Sequence, residues 1–328
     1  MTTPHQQPQQ PHPSPEYQPQ PGGQQGGPAT TTATAPPPQG PPMGGGYASP
    51  IPLTRTHLGH AITSEWTKIR SVRSTVWTLG VMFVLVVGIG LLTALGLSGG
   101  TFTGMPLLAP GLFGLMLGQI CIITLGVLVI TSEYGTGMIR TTMTACPNRG
   151  RVLIAKSLIF FLLAFVMTTV ACTITALINS ALLSDQEIPR YARQMKELEN
   201  SIEGGQVVAD GSQWLGATVG AGLYVALLGL LALAVGALLR HSAGAITAMM
   251  GLVLLPLVLA LFMVGETMEK VREILMEYSP LNGLASLYRI PMSAEDQNAT
   301  GWPLLGILAA VTVVALGAAY GMLRSRDV

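Results

Sequence analysis

Charge is what this sequence has least of. Charged side chains make up 10% of its 328 residues, where a soluble domain carries about 25%. With 49% hydrophobic residues and a mean hydropathy of +0.50, the deficit excludes an ordinary water-soluble globule and indicates a polytopic membrane protein. The net charge of +1 says nothing about nucleic acid, but no Lys/Arg cluster suggests a nucleic-acid footprint, so no nucleic acid is expected as a partner. Cysteine is nearly absent. Cys121 and Cys172 fall inside apolar runs and Cys146 in a basic loop, so no disulfide framework is expected. Catalytic signatures are missing too. There is no GxxxxGK[ST] to hold ATP, no HExxH or GxSxG, and no set of His, Cys or carboxylates spaced like metal ligands. His57 and His60, one helical turn apart, read as solvated surface histidines. No catalytic residue, metal site or cofactor is therefore assigned to this chain.

What is present is length without charge. Six apolar runs, at about 76–97, 107–131, 157–180, 214–239, 244–265 and 302–323, each hold about 20 residues or more. That is enough to cross roughly 30 Å of hydrocarbon as a helix. None contains Asp, Glu, Lys, Arg or His. A proton- or ion-coupled transporter usually buries an ionisable residue at mid-membrane, so energy for any movement is expected from outside the chain. Pro256 is expected to kink the fifth run. Gly114/Gly118, Gly216/Gly220 and Gly317/Gly321 have the small-xxx-small spacing that allows close helix approach. The fold class that follows is an all-α polytopic membrane protein with six transmembrane helices.

Two further segments precede the first span. Residues 1–52 are a Pro/Gln/Gly-rich tail without apolar periodicity, expected to be disordered. It lacks the basic n-region of a secretory signal. Residues 53–328 form the membrane domain. Within it, segment 56–74 has Leu58, Ile62, Trp66, Ile69 and, beyond it, Val76 on a helical stripe, with Glu65, Lys68, Arg70 and Arg73 mostly off it. The spacing predicts a helix lying in the membrane interface, with Trp66, Lys68, Arg70, Arg73 and Trp77 as its interfacial residues.

Eleven of the 17 basic residues and only four of the 16 acidic ones fall on the side that holds both termini, the 131–156 loop and the Arg240 turn. By the positive-inside rule that side is cytoplasmic, and an even number of spans fits it. On the other side, 185–205 is expected to form a short helix stopped at Gly204-Gly205. Segment 266–291 is expected to hold two short helical pieces broken at Ser279-Pro280.

The loop between the second and third spans is the most distinctive stretch. It reads TSEYGTGMIRTTMTACPNRGRVLIAK from Thr131 to Lys156. Glu133 follows the apolar run directly, Gly135-Thr136-Gly137 makes a turn, Met138 to Thr144 has helix-compatible spacing, and Pro147 stops it. Arg149, Arg151 and Lys156 then lead back into the membrane.

Three features together resemble the permease subunits of bacterial type-2 ABC exporters, over about residues 57–326. Segment 64–77, SEWTKIRSVRSTVW, is similar to that family's interfacial elbow helix. Segment 133–156 is similar to its first cytoplasmic loop. The pair of short outer helices broken at Ser279-Pro280-Leu281-Asn282 is the third. The resemblance implies a dimer with a second permease copy or a sister permease. It also implies a separate cytoplasmic P-loop ATPase that binds the ATP. It makes Glu133, Tyr134, Gly135, Thr136, Gly137, Arg140, Thr141, Pro147, Arg149, Arg151 and Lys156 the ATPase-coupling loop. Within that loop Tyr134 to Thr144 would be the coupling helix, with Glu133 satisfied at the membrane edge by a basic residue or a backbone N–H. The implied setting is the plasma membrane with both termini cytoplasmic. A membrane enzyme and a membrane scaffold are the alternatives that the residues leave open.

Overall fold

A computed structural model describes residues 57–99, 104–138, 141, 149–184, 202–203, 206–292 and 300–325. The tail of residues 1–52 lies outside them. The described chain is all-helical apart from one two-residue antiparallel pair, β1 (Ile202–Glu203) with β2 (Gln206–Val207). Most of the expected 185–205 helix lies outside the described residues. Its last apolar position, Ile202, pairs with Val207 in the strand pair and is not helical.

Six helices are long and apolar enough to cross a membrane: α2 (Arg73–Ser98), α3 (Gly111–Gly135), α4 (Arg149–Leu183), α5 (Gly211–Leu239), α6 (Ser242–Phe262) and α9 (Trp302–Ser325). The protein is thus a multi-pass membrane protein. Helices suit these runs because lipid offers the backbone no partner, so every N–H and C=O must bond within the segment. The expected spans are recovered with shifted ends. The largest shift is in α4, which has 35 residues and begins before the expected start at 157. At 1.5 Å per residue it is roughly 50 Å long, more than the roughly 30 Å core. Its charged first turns therefore lie at the level of the interface. The α6 helix continues through Pro256.

The interfacial helix α1 spans Leu58–Ser71 and ends earlier than the expected 74. Val72 adopts an extended conformation and separates it from α2, so Arg73 and Trp77 belong to α2. Helix α1 packs on α4 through its Glu65 side, and both Glu65 and Ile69 are buried. The stripe residues Leu58 and Trp66 face outward. Glu65, although off the apolar stripe, is thus buried with Ile69.

The bundle is built around α5, which packs on α3, α4, α6 and α9. Of its most apolar stretch 72% is buried, against 17% for α6 and for α9. Glycines let its neighbours approach. A Cβ on Gly126 of α3 would collide with the Gly229 carbonyl oxygen of α5, and one on Gly229 would lie 2.6 Å from Ile122. Near its start α5 passes through a π-helical turn at Gly216–Gly220. There a Cβ on Gly216 would lie 2.6 Å from the Leu287 carbonyl oxygen.

That contact comes from the broken helix pair, α7 (Glu266–Glu277) and α8 (Pro280–Leu287), which divides where expected. Ser279 caps α8 by accepting from the Asn282 N–H at 3.1 Å, and Pro280 occupies its first turn. Helix α8 is buried throughout. Asn282 satisfies itself by donating to the Glu277 carbonyl at 2.9 Å and accepting from the Met292 N–H at 2.6 Å. The α7–α8 pair caps one face of the bundle, beside the start of α3: Tyr288 touches Gly111. The opposite face holds the 131–156 loop. Both ends of the described chain reach this loop face, since Glu65 of α1 meets Lys156 and Tyr320 of α9 meets Gly150.

Candidate functional site

Four charges converge where the loop leaves and rejoins the bundle. Glu133 sits one turn from the end of α3, Lys156 in the third turn of α4, and Glu65 and Lys68 one turn apart on α1. The Lys156 ammonium donates to Glu65 Oε2 at 2.7 Å and to Glu133 Oε1 at 2.8 Å. The Lys68 ammonium donates to Glu65 Oε1 at 3.0 Å and to Glu133 Oε1 at 3.1 Å. The arrangement is a closed ring of two acids and two bases, neutral as a whole. Glu65, Glu133 and Lys156 are buried, and only Lys68 reaches the surface. Burial pulls the Lys68 pKa down, but the carboxylates of Glu65 and Glu133 outweigh that and hold it above its ordinary value.

Such a ring is expensive to desolvate, so its worth as stabilisation is small. What it does strongly is resist the loss of any one member. It ties three elements, α1, α3 and α4, at one point. The two ends of the loop are also tied to each other, through Glu133 and Lys156.

A second contact lies beside the first. The guanidinium of Arg240 sits 5.2 Å from the centroid of the Tyr134 ring, a cation–π distance. Arg240 closes α5 in the left-handed conformation, φ 54°, its N–H donating to the Gly236 carbonyl at 2.9 Å. The α5–α6 turn is thereby joined to the same loop.

Beyond Tyr134 the chain turns as the Gly-Thr-Gly spacing predicts. Helix α3 ends at Gly135, Thr136 caps it with its hydroxyl donating to the Ser132 carbonyl at 2.8 Å, and Gly137 takes φ 72°. A side chain at Gly137 would be strained in that backbone. Gly135, Thr136, Gly137 and Met138 are all exposed. The Thr141 hydroxyl donates to the Met138 carbonyl at 2.8 Å, the bond of a helical turn. Tyr134, where the expected coupling helix would start, lies in the last turn of α3. Of the expected coupling helix, Arg140 and residues 139 and 142–144 lie outside the described residues, as do Pro147 and the side chain of Arg149.

The other expected site residues divide into two groups. Glu133 and Lys156 of the loop join Lys68 of α1 in the ring. Arg70, Arg73, Trp66, Trp77 and Arg151 are exposed. Glu133 Oε1 accepts from two lysines, as expected of a basic neighbour, while its buried Oε2 has no partner among the described residues. Two participants were not assigned from sequence. Glu65 was visible as the lone acid among Lys68, Arg70 and Arg73. For the pairing of Arg240 with Tyr134 no sequence signal exists, since 106 positions separate residues whose contact depends on how α3 and α5 pack.

No family model matches the sequence, and no curated protein matches it either.

Proposed function

We propose that this chain is the membrane-spanning permease subunit of an ATP-driven exporter of the type-2 ABC class. It forms the translocation path with a second permease and takes its energy from a separate cytoplasmic P-loop ATPase. The chain itself binds no ATP and catalyses nothing. It resides in the plasma membrane with the loop face and both termini in the cytoplasm.

One observation carries the reading. The exposed Gly135–Met138 turn hangs from a rigid, buried base: Glu133 and Lys156 are locked together and to α1. A push on the turn cannot be absorbed by the loop alone. It must displace α1, α3 and α4 together, and α5 as well through Arg240 and Tyr134. A transmission element requires this combination of an exposed contact surface and a base fixed to several helices. Uncharged span interiors support the external energy source. The skew of basic residues toward the loop face supports the orientation.

The test replaces Gly135-Thr136-Gly137 by Leu-Leu-Leu in the full chain, co-expressed with the P-loop ATPase proposed as its partner. The expected result is normal membrane insertion, with loss of transport and of any stimulation of ATP hydrolysis by the permease. Unchanged transport would remove the coupling role. Transport by the purified chain without an ATPase would remove the whole reading.

A further inference from the structure

The bundle has an apolar cleft on its cap face that the transmission base does not use. It is about 490 Å³ in volume and lies between α5, α6 and α9 under the α7 helix. Leu231, Leu252, Pro256, Ile274, Leu308 and Val311 are among its walls. It opens sideways, since Leu252, Ile307 and Val311 remain exposed although they line it. The helices on either side of the opening, α6 and α9, are the least buried spans. From Leu304 to Val311 the lining runs about 10 Å along α9. That is two-thirds of the roughly 15 Å available in half a bilayer core. The cleft therefore belongs to one leaflet, the one on which α7 lies.

The α7 helix indicates what fills it. None of its residues is buried. At 3.6 residues per turn, Met268, Val271, Ile274, Leu275 and Tyr278 share one face, and four of these five also line the cleft. Lys270 and Arg272 fall on the two borders of that face, while Glu266, Glu269, Glu273 and Glu277 occupy the far side between them. Cations at the borders lie level with lipid phosphates when the apolar face is down, and carboxylates on the far side point to water. This is a charge arrangement complementary to a phospholipid headgroup layer.

We propose that the cleft is a phospholipid site. It takes one acyl chain of a phospholipid from the leaflet under α7, with the lipid phosphate held at the Lys270 or Arg272 border. The inference stands apart from the transport reading, because it concerns what the cleft binds and not what drives the bundle.

The test uses the full-length protein reconstituted in phosphatidylcholine vesicles that contain a phosphatidylcholine with a diazirine near the end of one acyl chain. After photolysis, labelled positions are mapped by mass spectrometry. Labelling at Ile274, Leu308 and Val311 is expected to exceed that at Val84 and Leu92 severalfold. The latter two are exposed on α2 and line no part of the cleft. Leu252→Phe with Val311→Phe, both at exposed apolar positions, is expected to abolish the excess and leave α2 labelling unchanged. Lys270→Gln with Arg272→Gln is expected to reduce it. Equal labelling of α2 and the cleft would mean an unspecific lipid coat and would overturn the proposal. Absence of cleft labelling would overturn it as well, and is the result if a second copy of the chain fills the space. The readout is lipid contact, so a failure of ATPase coupling leaves this inference intact, and the reverse holds.

Discussion

Lys156 keeps 3% of its side chain exposed and meets two carboxylates that belong to different helices. Removing it leaves Glu65 and Glu133 buried with Lys68 as their only ring cation, and two like charges then share a dry site. Breaking a buried pair by deleting one partner costs about 3–5 kcal/mol, while replacing the pair by apolar or neutral groups is far cheaper. Lys156→Met is therefore expected to lower the stability of the micelle-solubilised protein by about that amount. The double variant Lys156→Met with Glu133→Gln, which leaves the neutral Glu65–Lys68 pair, is expected to recover most of the loss. Denaturation midpoints of the two variants check this, and a double variant no more stable than the single one would count against a coupled ring. Half of the ring was legible in the sequence. Glu133 and Lys156 stand out because each borders a long uncharged run. Glu65 was visible as the lone acid of its segment, but the amphipathic reading of α1 weighs apolar positions and gave it no role. The helix docks instead by burying a charge, which only the partner across the gap makes favourable.

At the scale of the helix, the three small-xxx-small pairs look alike as text and behave differently in the fold. A Cβ on Gly114 would lie 2.5 Å from the Val86 carbonyl oxygen of α2, and one on Gly118 would lie 2.5 Å from the Val86 side chain. Gly216 and Gly220 receive Leu287 of α8. Gly317 and Gly321 have nothing within 4 Å. Forcing extra volume into a packed contact costs about 1–3 kcal/mol. Gly114→Leu is thus expected to destabilise α2 against α3 by that order, whereas Gly317→Leu is expected to change folded yield and unfolding midpoint little. Thermal melts of both variants in the same detergent decide it, and equal losses would contradict the packing described for α9. The spans themselves were legible because uncharged runs of this length have few other stable solutions. Their ends were less so. Hydropathy marks where hydrocarbon stops, yet the hydrogen-bond ladder of α4 continues through Arg151 and Arg149 into the interface. The strand pair at Ile202 escaped notice for a different reason, since three–four spacing in so short a segment fits more than one structure.

For the whole molecule, the position of α5 limits what one copy can do. The most buried span lies at the centre, wedged by Gly126, Gly229 and Phe160. Among the described residues the interior is thus filled by a helix and leaves no bore for a solute. In the proposed permease, the path would therefore have to form along an outer surface closed by another chain. The outward faces of α2, α6 and α9 are broad and apolar, which suits lipid or a second bundle equally. The proposed transmission base fits such a pair, since the ring moves α1, α3 and α4 as one body and the Arg240–Tyr134 contact carries α5 with them. The transporting assembly is therefore expected to contain two six-helix chains, either two copies of this one or this one with a sister. Native mass spectrometry of the active complex, released from nanodiscs with the proposed ATPase, reads the number directly. An active complex holding a single six-helix chain would require a pathway through the α5 core, which the packing at Gly126 and Gly229 opposes.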